Sequence, residues 1–215
     1  MSNEIITQQI MPPGMLAVGQ TGKNNVNVTN QQGGIVNFNY NIQQGAVIGS
    51  AEEMMAVHRF SKQYYQLLVT CEESVFKDNI VTVSADRALC QRLVPPEIFE
   101  RCSGLTEDGI KELQTFPALI CRENTELRGV TDPEQMGMYA YIRRVMKVGR
   151  DIKVAFQPIA PFFQAKLCEK KNAIYFDLNM DCAVTDLNHS AWSVHKVNLF
   201  EAFDQAQIPN MKRPM

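Results

Sequence analysis

Charged side chains are almost missing from the first 50 residues of this 215-residue chain. Glu4 and Lys23 are the two charged residues there, whereas residues 51–215 carry the other 42. The same segment holds seven of the 12 glycines and has no cysteine or histidine. We therefore expect an Asn/Gly-rich segment over 1–49, a globular domain over 50–210 and a frayed tail over 211–215.

Membrane and export signals are missing as well. The sequence contains no run of about 18 apolar residues, so it predicts no transmembrane helix. The first 30 residues do not combine a basic start with an apolar core, so we expect no signal peptide. The six cysteines form no CxxC pair, which is typical of reduced thiols in such a chain. We therefore predict a cytoplasmic protein without a membrane partner.

Common catalytic motifs are also lacking. The sequence contains no GxGxxG, GxxxxGK[ST], GxSxG or HExxH motif, so Rossmann, P-loop, α/β-hydrolase and zincin enzymes are unsupported. No cofactor is predicted, and no catalytic residue is assigned. The net charge of −2 disfavours a dedicated nucleic-acid binder, because such proteins usually carry a basic excess. These absences favour an interaction protein over an enzyme.

The N-terminal segment does contain a two-residue alternation of apolar and Asn side chains. Successive side chains of a β-strand face opposite sides, so this pattern predicts strands with one apolar face and one Asn face. The predicted buried, oligomerising face consists of Val26, Val28, Ile35, Phe38, Tyr40 and Ile42. The predicted ladder of stacked amides consists of Asn27, Asn37, Asn39 and Asn41.

A short internal repeat supports the same prediction. The tripeptide QQG at 31–33 recurs at 43–45, and its glycines supply turns. Two strands of this length cannot bury a core alone, because an isolated hairpin is marginally stable in water. We therefore predict that the segment pairs with copies of itself. A flexible polar leader and a hairpin packed on its own domain are the alternatives.

The run over 23–49, rich in Asn, Gly, Val and Ile, resembles short N-terminal segments of bacterial conflict-system (antiphage) signalling proteins. Those segments resemble amyloid-like or β-solenoid signalling motifs that join a sensor to an effector. The resemblance lies in composition and covers this run alone. It implies a role in antiphage or cell-suicide signalling, and no functional residue is carried over from it.

Helical and strand patterns interleave along residues 50–210. The predicted strands are 80–83, 118–122, 152–157, 173–178 and 193–197. The predicted helices are 51–71, 85–93 after the cap Ser84, 97–101, 107–116, 133–148, 161–171 and 199–206. Because the strands alternate apolar and polar residues, we predict an α+β fold with a mixed or largely antiparallel sheet packed with helices.

A run of cations lies on and just after the predicted helix 133–148. Arg143, Lys147 and Arg150 are spaced i, i+4, i+7, which places them on one helical face. Such a face can bind an anionic ligand or nucleic acid. The alternative is structural, because cations near a helix C-terminus are favoured by the helix dipole alone.

The densest polar cluster lies over 181–195. Cys182, His189 and His195 are candidates for metal ligands, although their spacing matches no common zinc module. Cys182 with either histidine is also a candidate nucleophile and base. The interpretation we favour is a turn followed by a strand, with Trp192 as a core or interface anchor, so no metal is assigned.

These patterns together predict a non-enzymatic, homo-oligomerising adaptor whose partners are itself and a second protein. The resemblance adds a setting in antiphage defence. One alternative is a small effector enzyme, either a nuclease or a nucleotide hydrolase. The other is a nucleotide or nucleic-acid sensor that uses the basic helix, so nucleic acid is an alternative partner that we do not favour.

Self-assembly predicts that Phe38→Asp, or deletion of residues 1–45, converts an oligomer into a monomer. A carboxylate on the buried face would lose its hydration on stacking and would repel its copies in neighbouring chains. Light scattering on the purified chain measures the mass. An unchanged mass in both variants contradicts the prediction.

Overall fold

The computed structural model describes residues 50–209 and 211–214, which belong to one unit spanning 47–215. The β-repeat predicted over 1–49, with its oligomerisation residues between 26 and 42, lies outside the described residues. The described strands are Tyr65–Thr70 (β1), Ile80–Ser84 (β2), Ala118–Arg122 (β3), Met136–Val148 (β4), Asp151–Phe163 (β5) and Ala191–His195 (β6). The described helices are Ala51–His58 (α1), Val75–Asp78 (α2), Pro96–Cys102 (α3), Glu107–Leu113 (α4), Ala165–Cys168 (α5), Lys170–Ala173 (α6) and Leu199–Gln205 (α7), with 3₁₀ turns at Gln91–Leu93 and Ile174–Phe176.

The six strands form one mixed sheet in the order β2-β5-β4-β3-β1-β6. The β1–β3 pair is parallel, and the other pairs are antiparallel. The predicted α+β fold with a mixed sheet is therefore confirmed for the described residues. The sheet is curled, so the segment that follows β2 at one edge reaches β6 at the other edge. There, Trp192 N donates to Arg87 O, and Leu89 N donates to Trp192 O.

Each face of the sheet buries its own hydrophobic core. Along β1, Tyr65 and Leu67 point into the first core, whereas Leu68 points into the second. Helix α7 covers the first core with Phe203, and the second core contains Trp192 together with residues of α3 and α4. The alternation of strand side chains thus divides β1 and β6 between two environments.

Strand β1 contradicts the helix predicted over 51–71. Helix α1 begins where predicted, because Ser50 Oγ accepts a hydrogen bond from Glu53 N at 3.2 Å, but it ends at His58. All six residues of β1 are buried, because β1 lies between β3 and β6 and both of its faces are covered. A strand that is buried on both faces has no alternation, so periodicity cannot distinguish it from a buried helix.

The helix predicted over 133–148 is also wrong, because this stretch forms β4. Asp132 does not cap a helix: its Oδ1 accepts from the peptide N–H two residues later, in a tight turn. The aromatic and β-branched residues of the stretch favour a strand, and pairing with β3 and β5 decides the outcome. Gly149, expected as the helix C-cap, begins the turn into β5 with a φ of +63°.

The shorter predictions have mixed outcomes. Residues 85–93 form turns, including the 3₁₀ turn Gln91–Leu93, rather than an α-helix. Residues 173–178 form helical turns rather than a strand, and 161–171 are divided between β5, α5 and α6. The strands predicted at 80–83, 118–122, 152–157 and 193–197 correspond to β2, β3, β5 and β6, and the helices at 97–101, 107–116 and 199–206 to α3, α4 and α7. None of the described helices has the length and apolar character to cross a membrane.

Residues 211–214, for which the sequence predicts a frayed tail, contact the folded unit. Met211 is buried in the first core, and Tyr139 Oη donates a hydrogen bond to Lys212 O at 2.8 Å. Arg213 forms an ion pair with Asp204 of α7. These contacts bring the C-terminal residues against β4 and α7.

Gln66 provides a direct test of the fold, because its buried amide links three elements. Its Nε2 donates to Leu113 O at 2.8 Å and to Phe116 O at 3.0 Å, and its Oε1 accepts from Trp192 Nε1 at 3.1 Å. Gln66→Ala leaves these partners without the amide, and a buried polar group without a partner costs about 1–3 kcal/mol. We expect the free energy of unfolding in urea to fall by about 3 kcal/mol.

The matched control is Gln91→Ala, because Gln91 is exposed. Its effect should stay within about 0.5 kcal/mol. Equal free energies of unfolding for the two variants would contradict the role assigned to the buried amide.

Candidate binding cleft

A cleft of about 430 Å³ opens beside β6, at one edge of the sheet. It is lined by residues of β1 and β6, by the segment 92–95 and by residues between 177 and 189. We call it the His cleft, because His189 and His195 both line it. Its other polar side chains are Arg92, Asp177, Asn179, Asp186, Ser193 and Lys196.

Ser193 and His195 share one face of β6, because they are two residues apart on a strand. Both are buried, with 6% and 9% of their surface exposed. The antiparallel register with β1 places Ser193 opposite Leu67 and His195 opposite Tyr65. Two polar side chains are thus held inside the cleft by a paired strand.

Ser193, His195 and Asp177 form a continuous array. Ser193 Oγ lies 2.9 Å from His195 Nε2, and His195 Nδ1 lies 3.5 Å from Asp177 Oδ2. A second acceptor for the hydroxyl, Leu67 O, lies farther away at 3.4 Å. The Asp177 side chain is 70% exposed, so the array runs from solvent to a buried hydroxyl.

Tyr65 fixes two members of this array. Its ring stacks on the imidazole of His195, with 5.0 Å between ring centroids and 17° between planes. Its hydroxyl donates to Phe176 O at 2.6 Å, directly before Asp177 in the chain. Burial raises the pKa of Tyr65 well above its usual range, so the hydroxyl stays protonated and remains a donor.

Asp177 reaches His195 from a left-handed backbone conformation. It follows the 3₁₀ turn Ile174–Phe176 with φ of +55° and ψ of +43°. Asp tolerates this region better than most residues, because its short polar side chain can form local hydrogen bonds. This conformation ends the turn, because Asp177 N donates to Ile174 O at 3.3 Å.

The loop that carries Asp186 and His189 is held by the amide of Asn188. Asn188 Oδ1 accepts hydrogen bonds from Thr185 N at 2.8 Å and from Thr185 Oγ1 at 2.7 Å. Its Nδ2 donates to two carbonyls of the segment 124–126, at 3.0 and 2.7 Å. This wall of the cleft is therefore tied to the chain that follows β3.

A small hydrogen-bonded group lies at the rim of the cleft. Lys196 Nζ donates to Glu97 Oε1 at 2.8 Å, and Tyr64 Oη donates to the same oxygen at 2.7 Å. The hydrogen bond from Lys196 is the main reason why the pKa of Glu97 falls to about 2. Glu97 thus stays ionised and holds the lysine ammonium in place.

The structure separates the three candidate metal ligands. His189 and His195 line the His cleft, whereas Cys182 is exposed and is not among the lining residues. Cys182 Sγ instead accepts a hydrogen bond from Asn179 Nδ2 at 3.5 Å. Within residues 50–209 and 211–214, no group of three or more His, Cys, Asp or Glu side chains is placed to hold a metal ion.

The three candidate ligand-binding cations do not share a helical face, because their segment is a strand and a turn. Arg143 is the extra residue at a bulge of β4, and its Nε lies 3.3 Å from Glu52 Oε1. Lys147 lies opposite the buried Ile152, and Arg150 lies in the turn before β5. The i, i+4, i+7 spacing gathers three side chains on one face of a helix but not on one face of a strand that ends in a turn, so the predicted helical basic face is not formed.

His189 and His195 stand out in the sequence, whereas Ser193 and Asp177 do not. A signal for Ser193 is present, because any strand over 193–197 places Ser193 and His195 on one face. Asp177 has no such signal: its segment is predicted as a strand, and its contact with His195 depends on tertiary structure. The sequence alone could therefore identify Ser193 as a neighbour of His195, but it could not identify Asp177.

No protein family model matches the chain, and neither curated proteins nor solved structures give a significant match. The function is therefore proposed from the geometry of the described residues and from the sequence pattern.

The raised pKa of Tyr65 predicts that the folded chain loses stability at alkaline pH. The unfolded chain releases the tyrosine proton near the ordinary value of 10.0, whereas the folded chain retains it. The unfolded state then binds fewer protons, so the free energy of unfolding falls as pH rises from about 10 toward the folded pKa. Tyr65→Phe should make this fall less steep, although the raised pKa of Tyr139 leaves part of it.

The measurement is urea unfolding of both proteins at several values between about pH 8 and pH 11. The lost hydrogen bond to Phe176 O lowers the stability of the variant at every pH, so the readout is the slope and not the offset. Identical slopes above pH 10 would show that Tyr65 does not titrate differently on unfolding.

Proposed function

We propose that this chain is a self-assembling interaction protein that recognises a small polar ligand in the His cleft. Residues 1–49 join copies of the chain through a short β-repeat, and the folded unit carries the cleft and binds a second protein. The resemblance of the segment 23–49 to antiphage signalling proteins supports a bacterial defence setting for this adaptor. The assembly half of the proposal depends on the Phe38→Asp mass measurement.

The His cleft is the observation that carries the ligand-binding half. Ligand sites are typically clefts of about 300–1,000 Å³ that combine an apolar lining with a few fixed polar groups. Here the apolar part comes from Val69, Val94 and Ala191, and the fixed polar groups are Ser193 and His195. The size of about 430 Å³ suits a small molecule rather than a macromolecular segment.

The rim favours a ligand with polar groups. Arg92 brings positive charge to the cleft, Lys196 brings an ammonium that is paired with Glu97, and Asp177 and Asp186 bring negative charge. Asp186 Oδ2 already accepts a hydrogen bond from Asn179 N at 2.7 Å. Of the two carboxylates, Asp177 is the more exposed to solvent. Groups of both signs support recognition of a molecule that carries both donors and acceptors.

The proposal includes a cytoplasmic location for the protein. All six cysteines are free thiols, and Cys102 and Cys121 are buried. Burial raises the pKa of both thiols, which keeps them protonated and unreactive. Reduced thiols are typical of a reducing compartment and support this location.

The sensor that uses a basic helix has less support, since Arg143 and Lys147 lie in a strand and are not gathered on one helical face. Arg143 is also paired with Glu52. The adaptor with a ligand cleft therefore accounts for more of the described geometry than this alternative does.

Thermal unfolding of the full chain with a panel of small polar compounds tests ligand binding. The panel contains nucleoside monophosphates, amino acids and short carboxylic acids. A compound that binds the folded state raises the midpoint, because it withdraws folded protein from the unfolding equilibrium. We expect at least one class to raise it by about 2 °C or more at a hundredfold excess over Kd.

Asn179→Trp is the blocking variant, because exposed Asn179 lines the cleft and an indole there fills part of it. Glu100→Trp is the matched control on the exposed side of α3. The shift should vanish in the first variant and persist in the second. A panel without any shift, or a shift that survives Asn179→Trp, would exclude ligand recognition in the His cleft for these compounds.

A further inference from the structure

We propose that the His cleft is also an acyl-transfer site in which Ser193 is the nucleophile, His195 the general base and Asp177 the carboxylate that orients the histidine. The substrate class is a small ester with a short acyl chain. This inference rests on the proposed access of small molecules to the cleft, but it does not depend on self-assembly.

The distances meet the requirements for an activated hydroxyl. A nucleophile and its base must lie within hydrogen-bond reach, about 2.6–3.2 Å, and a third group must orient the base. Ser193 Oγ and His195 Nε2 are 2.9 Å apart. Asp177 Oδ2 lies 3.5 Å from the other ring nitrogen, and such contacts are often longer before substrate binds.

The array selects one tautomer of His195. A carboxylate accepts hydrogen bonds, so the ring proton belongs on Nδ1, which faces Asp177. Nε2 then carries a lone pair and accepts the hydroxyl proton of Ser193. Leu67 O, the competing acceptor, is 0.5 Å farther from the hydroxyl than Nε2, at 3.4 against 2.9 Å.

Tyr65 is a positioning residue for this site. Its ring holds the plane of the imidazole by stacking, and its hydroxyl holds the turn that ends at Asp177. Ser193 and His195 are fixed by their strand, and Asp177 ends the turn to which the Tyr65 hydroxyl donates. Sites held by rigid elements keep reacting groups in place more accurately than sites on mobile loops.

The reaction balances with water as the only co-reactant. Ser193 Oγ attacks the ester carbonyl carbon, and its proton passes to His195 Nε2 while the carbonyl π electrons move to oxygen. The intermediate collapses, the bond to the alcohol oxygen breaks, and His195 returns the proton to the leaving alcohol. Water then repeats these steps on the acyl-serine, releasing the carboxylic acid and restoring the Ser193 hydroxyl.

The lining of the cleft accounts for the substrate class. Val69, Val94 and Ala191 are buried apolar residues beside the array, and they suit a short acyl chain rather than a charged one. The charged groups at the rim lie where the alcohol part of the ester would meet solvent. Acetyl and butyryl esters are therefore the probes that fit this arrangement.

The test uses the full chain with p-nitrophenyl acetate and p-nitrophenyl butyrate, and a fluorophosphonate as covalent label. The label forms a bond between Ser193 Oγ and phosphorus and releases fluoride. Intact-mass measurement and peptide mapping detect the labelled chain. We expect one label per chain, on Ser193. Ser193→Ala should abolish labelling and lower kcat/KM for the esters by about 10³-fold or more.

Asp177→Asn separates a catalytic array from a structural one. Asp177 is largely exposed, so the variant should fold. Without the carboxylate, the Nδ1–H tautomer of His195 is no longer favoured, and kcat should fall about 10²-fold or more. Matched controls are Asp108→Asn and Ser74→Ala, both exposed and away from the cleft. Both should keep the wild-type rate.

Absence of labelling in folded wild-type chain, or labelling at a residue other than Ser193, overturns this inference. Full activity in Asp177→Asn overturns the role of that carboxylate. The proposed ligand recognition is judged separately: compounds of the panel that stabilise Ser193→Ala as they do the wild type support binding even where the chemistry fails. If the chain neither binds any compound of the panel nor reacts with the label, both proposals are contradicted.

Discussion

The antiparallel pairing of β1 with β6 is the constraint on which the site depends. It places Tyr65 opposite His195 and Leu67 opposite Ser193. A shift of the register by one residue would turn both cleft residues to the opposite face, because side chains alternate along a strand. The hydrogen bond from Trp192 Nε1 to Gln66 Oε1, inside the second core, supports this register from the other face.

The two faces of β6 therefore have different roles. The side chains of Trp192 and Val194 are buried in the second core, and the backbone of Trp192 also pairs with the segment after β2. Ser193 and His195 point to the opposite side and line the His cleft. One face stabilises the fold, and the stability of that face allows the other to hold polar groups in a buried position at fixed distances.

A ligand cleft and a self-pairing leader would reinforce each other in the proposed adaptor. In this proposal, each copy that joined through residues 1–49 would add one cleft to the assembly. Several linked sites bind a multivalent partner far more tightly than one site does, because later binding events occur at high effective concentration. The low charge of residues 1–49 favours such stacking, since little electrostatic repulsion opposes it.

Local pattern alone predicts the α+β class, the change in composition near residue 50, and the elements with clear ends. One of these is the helix capped by Thr106, whose Oγ1 accepts a hydrogen bond from Gly109 N. Local pattern fails where tertiary contacts outweigh it: β1 is buried on both faces, and β4 is a strand because β3 and β5 pair with it. The site divides in the same way. Ser193 and His195 share a face by strand alternation alone, but only the folded chain brings Asp177 and Tyr65 to His195, because those contacts join segments that periodicity cannot relate.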